Sequence, residues 1–208
     1  MIPNREKRPW HRLNVWYFSR QNGFSKTALA LKEAQIFFSS IMRKDGRKEF
    51  SHAYRVAQIL IFHGVLEDEI IAAGIFHDLF ENISFELWGY LEEDYGEEVA
   101  LIVWLLSRRE GESERYYFAR IGEDVITILV KIADRLHNLR NMTKNLGRSD
   151  FFTLERLIVQ IEETWEYLIP MSVRAAAIGC QYKNSIEEMH EELLRSLADA
   201  QWAVDNFE

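Results

Sequence analysis

The sequence predicts an all-α protein, on three observations. Helix breakers are scarce, with only 3 prolines and 10 glycines in 208 residues, so long helices are the natural reading. Apolar residues recur at three- and four-residue spacing through most of the chain. Hydrophobic residues make up 48% of the composition, enough for a sizeable core and against disorder. The length suits one domain with some extra helices.

The elements follow in order. Residues 1–24 are polar and aromatic, with Pro3, Pro9 and Gly23, and read as an irregular N-terminal extension. Ser25 is placed to cap a helix through Ala28, Leu29, Ala34, Ile36, Phe37 and Ile41, and Asp45-Gly46 then makes a loop. Ala53, Val56, Ala57, Leu60 and Ile61 form one face of a helix that starts near Ser51 and ends at Gly64. The acidic Glu67, Asp68 and Glu69 suit the positive N-terminus of the next helix. That helix carries Ile70, Ile71, Ala73, Gly74, Ile75 and Phe76 to about Phe80. It is apolar nearly all round, so it should be central and buried.

Two helices are expected over 84–95 and 97–107, separated by Gly96. A charged loop over 108–112 leads to a helix over 113–121, ended by Gly122. The run Val125, Ile126, Ile128, Leu129, Val130, Ile132 is rich in β-branched residues, but continues at helical spacing through Ala133, Leu136 and Leu139. Asp150 to Ile169 is an amphipathic helix stopped by Pro170. The last segment, about Ser185 to Trp202, has acidic and apolar faces, either docked on the domain or used in a homo-oligomer. The boundaries drawn are 1–24, 25–170 and 171–208.

Formal net charge is −8, and no basic run interleaved with aromatics suggests a nucleic-acid surface. An acidic chain still binds an anionic small molecule where a metal makes the pocket locally positive. The single cysteine, Cys180, allows neither an internal disulfide nor a zinc-spaced pair. No apolar run reaches membrane length, and nothing after Arg5, Lys7 and Arg8 resembles a secretory leader. A cytoplasmic location is the default.

The chemistry concentrates in a few polar residues set in apolar helices. His77-Asp78 lies between Ile75-Phe76 and Leu79-Phe80, where a charged Asp is rare without a partner. Alone, the doublet is weak, and His77 would read as a hydrogen-bonded core histidine. His52, at the start of the preceding helix, and Asp134, between Ile132-Ala133 and Arg135-Leu136, are placed the same way. Two imidazoles and two carboxylates form a mixed nitrogen–oxygen ligand set suited to Mn²⁺, Fe²⁺ or Zn²⁺. Such a metal lowers the pKa of bound water and polarises a phosphoryl oxygen. On a helix continued past Phe80, Glu81, four residues after His77, projects from the same face and is placed to accept a proton from that water or to orient it.

In this order, Arg43-Lys44-Asp45-Gly46, His52, His77-Asp78 with Glu81, and Val130 through Asn138 resemble the hydrolase domain of the RelA/SpoT alarmone enzymes. The segment from Leu106-Ser107 through Gly111-Glu112-Ser113, Tyr117, Arg120 and Ile121 resembles the stretch before the family's Asp motif. The likeness covers about residues 25–170, with no room for the family's synthetase and regulatory domains. It implies a stand-alone small alarmone hydrolase with a compact HD-domain bundle of eight to ten helices. The implied reaction removes the 3′-diphosphate from guanosine tetra- or pentaphosphate as pyrophosphate, with Mn²⁺.

By that resemblance His52, His77, Asp78 and Asp134 match the metal ligands, and Glu81 matches the first of two water-activating acids. Arg43 matches an arginine packed on the purine, and Asn138 a nucleotide-contacting asparagine. Lys44, Lys131 and Arg140 are candidates for phosphate contact. Asn82 departs from the pattern, because the family has Asp there and Asn cannot accept a proton near neutral pH. The loop Arg47-Lys48-Glu49-Phe50-Ser51 also departs. Other readings are the adenosine alarmone as substrate, another nucleotide such as a deoxynucleoside monophosphate or NADPH, and a nucleotide sensor without turnover.

Overall fold

The computed structural model describes residues 13–43, 46 and 49–207. Among these residues it is helical throughout and contains no strand, so the expected all-α class is observed. The helices are α1 (Val15–Asn22), α2 (Ser25–Phe37), α3 (Glu49–Phe62), α4 (Asp68–Phe76), α5 (Leu79–Asn82), α6 (Trp88–Tyr95), α7 (Glu97–Leu106), α8 (Glu114–Ile121), α9 (Val125–Asn145), α10 (Leu154–Glu163), α11 (Ile169–Ala177) and α12 (Lys183–Asp205). No described helix is long and apolar enough to cross a membrane.

The centre is α4, whose residues Ile70 through Phe76 are all buried. It packs against α2, α3 and α7, while α9 lies across α3 and is covered by α12. Gly74 is the point of closest approach, since a Cβ there would sit 2.6 Å from Leu60 Cδ1 on α3. This spacing draws together the two helices that carry His52 and His77.

Four expectations change. The stretch expected to be irregular contains α1, because the Asn14 side chain accepts from the Tyr17 N–H and Gly23 closes the helix at φ 71°. Ser25 does not cap α2. The Asp68 carboxylate takes the Lys26 and Thr27 N–H groups at 2.9 and 2.7 Å, filling the capping role from another helix. The central helix stops at Phe76, not Phe80. His77 Nδ1 lies 2.9 Å from the Gly74 carbonyl, and Asp78 leaves the helix at φ −99°, ψ 7° before α5 begins. Finally, Pro170 does not end its helix. A five-residue π turn, Thr164–Leu168, widens the backbone ahead of it, and the ring enters the first turn of α11, where a missing N–H costs no bond.

These changes account for twelve segments where eight to ten were expected. The line drawn at residue 170 falls inside the continuous α10–π–α11 run. The C-terminal α12 buries Ile186, Met189, Leu193, Leu197 and Ala200 and packs on α9, α10 and α11. Its apolar face is therefore used within the chain.

Candidate metal centre

Three helices bring the candidate ligands to one point. His52 comes from the first turn of α3, His77 from the end of α4, Asp78 from the bend after it, and Asp134 from the middle of α9. His52 Nε2 lies 3.0 Å from His77 Nε2, 3.1 Å from Asp134 Oδ1 and 3.6 Å from Asp78 Oδ2. His77 Nε2 lies 3.2 Å from Asp78 Oδ2 and 3.8 Å from Asp134 Oδ1. A divalent metal with bonds of about 2.0–2.2 Å brings neighbouring ligand atoms to roughly 3 Å of one another. The donor set therefore fits such an ion.

The far nitrogens fix the near ones. The Gly74 carbonyl can only accept, so His77 Nδ1 carries the proton and Nε2 faces the centre. His52 Nδ1 lies 2.6 Å from Nδ1 of the buried His137, which turns its Nε2 inward. Burial, with Arg43 nearby, lowers the His52 pKa to about 4. Burial opposes charge on His77 too, but the Asp78 carboxylate overcomes it and pushes the pKa up to about 9. Both aspartates stay ionised despite burial, Asp78 against His77 and Asp134 against Lys131. The two carboxylates thus hold a proton on His77, the positive charge that a bound cation would take over.

The surroundings form a chain of contacts. Lys131 Nζ donates to Asp134 Oδ2 at 2.9 Å. Asn138 Nδ2 donates to Asp134 Oδ1 at 2.5 Å, and its Oδ1 accepts from Arg43 Nη2 at 3.0 Å. Arg43 Nη1 in turn donates to Glu49 at 2.8 Å. Asn138 and Lys131 thus sit beside the centre, and Arg43 bridges α3 and α9. Arg140 is a correction to the expectation of phosphate contact. Its guanidinium bonds Glu192 and Ser196 on α12, away from the centre. Lys44 lies outside the described residues.

Glu81 and Asn82 occupy the short α5, both solvent-accessible. The Glu81 carboxylate accepts the Arg108 N–H at 2.5 Å. The surrounding protein and then Asp78 raise its pKa above the ordinary carboxylate value. Beside the centre lies a cavity of about 170 Å³ bordered by Asp78, Glu81, Arg108, Tyr117, Lys131 and Arg135.

Sequence reasoning missed Glu49 and His137. Glu49 is 6% exposed, and its carboxylate lies within 4.8 Å of the His52 and Asp78 ligand atoms. Its signal was its place one turn before His52 on the same helix. His137 lies one turn after Asp134, inside a motif already singled out.

An all-helical bundle with imidazole and carboxylate side chains meeting where three helices converge, beside a small polar cavity, is the arrangement the sequence led us to expect of an HD-type domain. Comparisons narrow this. The chain is 31% identical over 172 residues to a GTP pyrophosphokinase of Brucella ovis, covering 77% of this chain and 21% of that protein. It is 28% identical over 163 residues to a "probable GTP pyrophosphokinase" of Mycobacterium leprae, covering 74% and 20%. It is 32% identical over 111 residues to a "probable guanosine-3′,5′-bis(diphosphate) 3′-pyrophosphohydrolase" of Synechocystis, covering 48% and 14%. A solved structure described as a metazoan ortholog of SpoT that hydrolyzes ppGpp superposes with a TM-score of 0.63 at 16% identity, over 82% of this chain and 94% of that one. No protein-family model matches. The chain is a homologue of the RelA/SpoT proteins, as its motif order predicted, and shares the all-helical fold of the SpoT ortholog. It spans about a fifth or less of the length of these curated relatives.

Proposed function

We propose that this chain hydrolyses the 3′-diphosphate of guanosine or adenosine 3′,5′-bis(diphosphate), releasing pyrophosphate, with one Mn²⁺ held by His52, His77, Asp78 and Asp134. The observation that carries this is the convergence of His52, His77 and Asp134 ligand atoms within 3.0–3.8 Å of one another, with Asp78 Oδ2 3.2 Å from His77 and 3.6 Å from His52. When bound, the metal supplies Lewis acidity and an acidified water. Glu81, with its raised pKa, would take the proton of the attacking water. Lys131 and Asn138 hold Asp134 in place, and Arg43 holds Asn138 while sealing Glu49. The purine packs nearby, against the outer surface of the Arg43 guanidinium. A cytoplasmic site of action suits the nucleotide substrate.

The test is turnover of the purified, Mn²⁺-loaded protein on the guanosine and adenosine 3′,5′-bis(diphosphates) side by side. Pyrophosphate from either supports the reading, and none from either contradicts it.

Asn82 favours one second reading, a nucleotide sensor that binds without turnover. Restoring a carboxylate with Asn82→Asp is expected to raise kcat by at least about tenfold, since acid–base groups supply roughly 10²–10⁴-fold. An unchanged kcat in that variant shows that position 82 does not limit the rate.

A further inference from the structure

We infer that Arg108 is the specificity-determining residue for the leaving diphosphate, donating to its terminal phosphate in the cavity beside the metal centre. The inference rests on the proposed reaction and names a residue in it. Three observations support it.

The cavity, at about 170 Å³, holds the volume of roughly five to six waters. That is room for a diphosphate group. It borders Asp78 of the centre and Glu81, so a group seated there is next to both the metal and the base.

The other cations on its wall are engaged. Lys131 is 2.9 Å from Asp134, and Arg135 is 2.5 Å from Glu163. In the loop between α7 and α8, Arg109 lies 4.1 Å over the Trp104 ring, and Arg120 on α8 bonds Glu112 and the carbonyl groups of Trp104, Leu105 and Ser107. Among the described residues, Arg108 is the wall cation held most loosely: its guanidinium meets the Glu112 carbonyl at 3.5 Å and lies 5.9 Å from the centre of the Tyr117 ring. Its nearest carboxylate is Glu114, at 3.8 Å, and its side chain is 44% exposed. It is the cation with a guanidinium fork to offer an incoming phosphate.

The backbone of Arg108 is nevertheless anchored, because its N–H donates to Glu81 at 2.5 Å. The same residue thus fixes the base through its main chain, and its guanidinium lies over Tyr117, another residue of the cavity wall. Arg108→Ala removes the second and keeps the first. A residue of this kind affects KM.

The experiment measures equilibrium binding of radiolabelled pyrophosphate to the Mn²⁺-loaded full chain, with wild type, Arg108→Ala, Arg108→Lys and Arg109→Ala. The expected result is affinity about tenfold or more weaker in Arg108→Ala, as for loss of a charge-assisted hydrogen bond. Arg108→Lys should recover part of the loss, and Arg109→Ala should stay within about twofold of wild type. In turnover, KM rises by a similar factor in Arg108→Ala. Wild-type affinity in Arg108→Ala overturns the inference, as does a wild type that binds no pyrophosphate. Binding is read without turnover, so failure of the proposed reaction is seen separately, in the alarmone assay.

Discussion

The residues at the centre were legible where chemistry conflicted with surroundings. His77-Asp78 and Asp134 are polar groups in apolar runs, and each reaches the cluster. Position on α9 decided the rest. At about 100° per residue, Lys131, His137 and Asn138 lie within about 60° of Asp134, and all three face the centre or its first neighbours. Arg140, six residues on, is turned by about 120° and meets α12. Glu49 was illegible because an acid opening a helix within a charged loop looks like an ordinary dipole contact. Only folding brings Arg43 to it. At this scale the pH profile is a direct check on Glu81. A base must be ionised, so activity is lost as pH falls through the Glu81 pKa. The surrounding protein and the Asp78 carboxylate raise that pKa, so the acid limb is displaced upward from the ordinary carboxylate range. Glu81→Gln is expected to cut kcat by about 10²–10⁴ and to remove that limb from the residual rate. A limb that persists in the variant assigns it to another group.

At the scale of elements, hydrophobic periodicity found the helices and missed where they stop. The break at His77 depends on a side chain reaching back to a carbonyl, and the capping of α2 on a carboxylate from α4. Neither leaves a trace in local spacing. The π turn before Pro170 is a third case, because a proline is read as a terminator unless the backbone ahead of it widens. The C-terminal helix is held by an ionic contact between elements. Glu192 on α12 lies 3.5 Å from Nε2 of His63, just past the end of α3, and pairs with Arg140 on α9. Burial opposes its charge, but His63 and then Arg140 overcome it and lower the Glu192 pKa to about 2 from 4.5. A carboxylate depressed in the folded state contributes stability that is full above about 4.5 and is lost as pH falls towards 2. Glu192→Gln is therefore expected to cost about 1–3 kcal/mol in denaturant unfolding at pH 7, and less at pH 3. A cost that does not shrink at pH 3 contradicts this role.

For the whole molecule, the fold places a charged centre where α3, α4 and α9 meet, and one core packs all three. The ligands come from separate helices, so a bound metal ties those helices together and should stabilise the native state. At a hundredfold excess over Kd the gain is about 2.7 kcal/mol, or a rise in Tm of a few degrees for a chain of this size. His77→Ala and Asp134→Ala are each expected to abolish that rise. A full rise in either variant would remove that residue from the ligand set.

The most direct test is to add Mn²⁺ in steps to metal-free protein and follow pyrophosphate release from guanosine 3′,5′-bis(diphosphate). Release should climb in proportion to added metal, level off at about one equivalent per chain, and be absent in Asp134→Ala. Equal release without metal, or none at any ratio, would contradict a single metal centre that performs this hydrolysis.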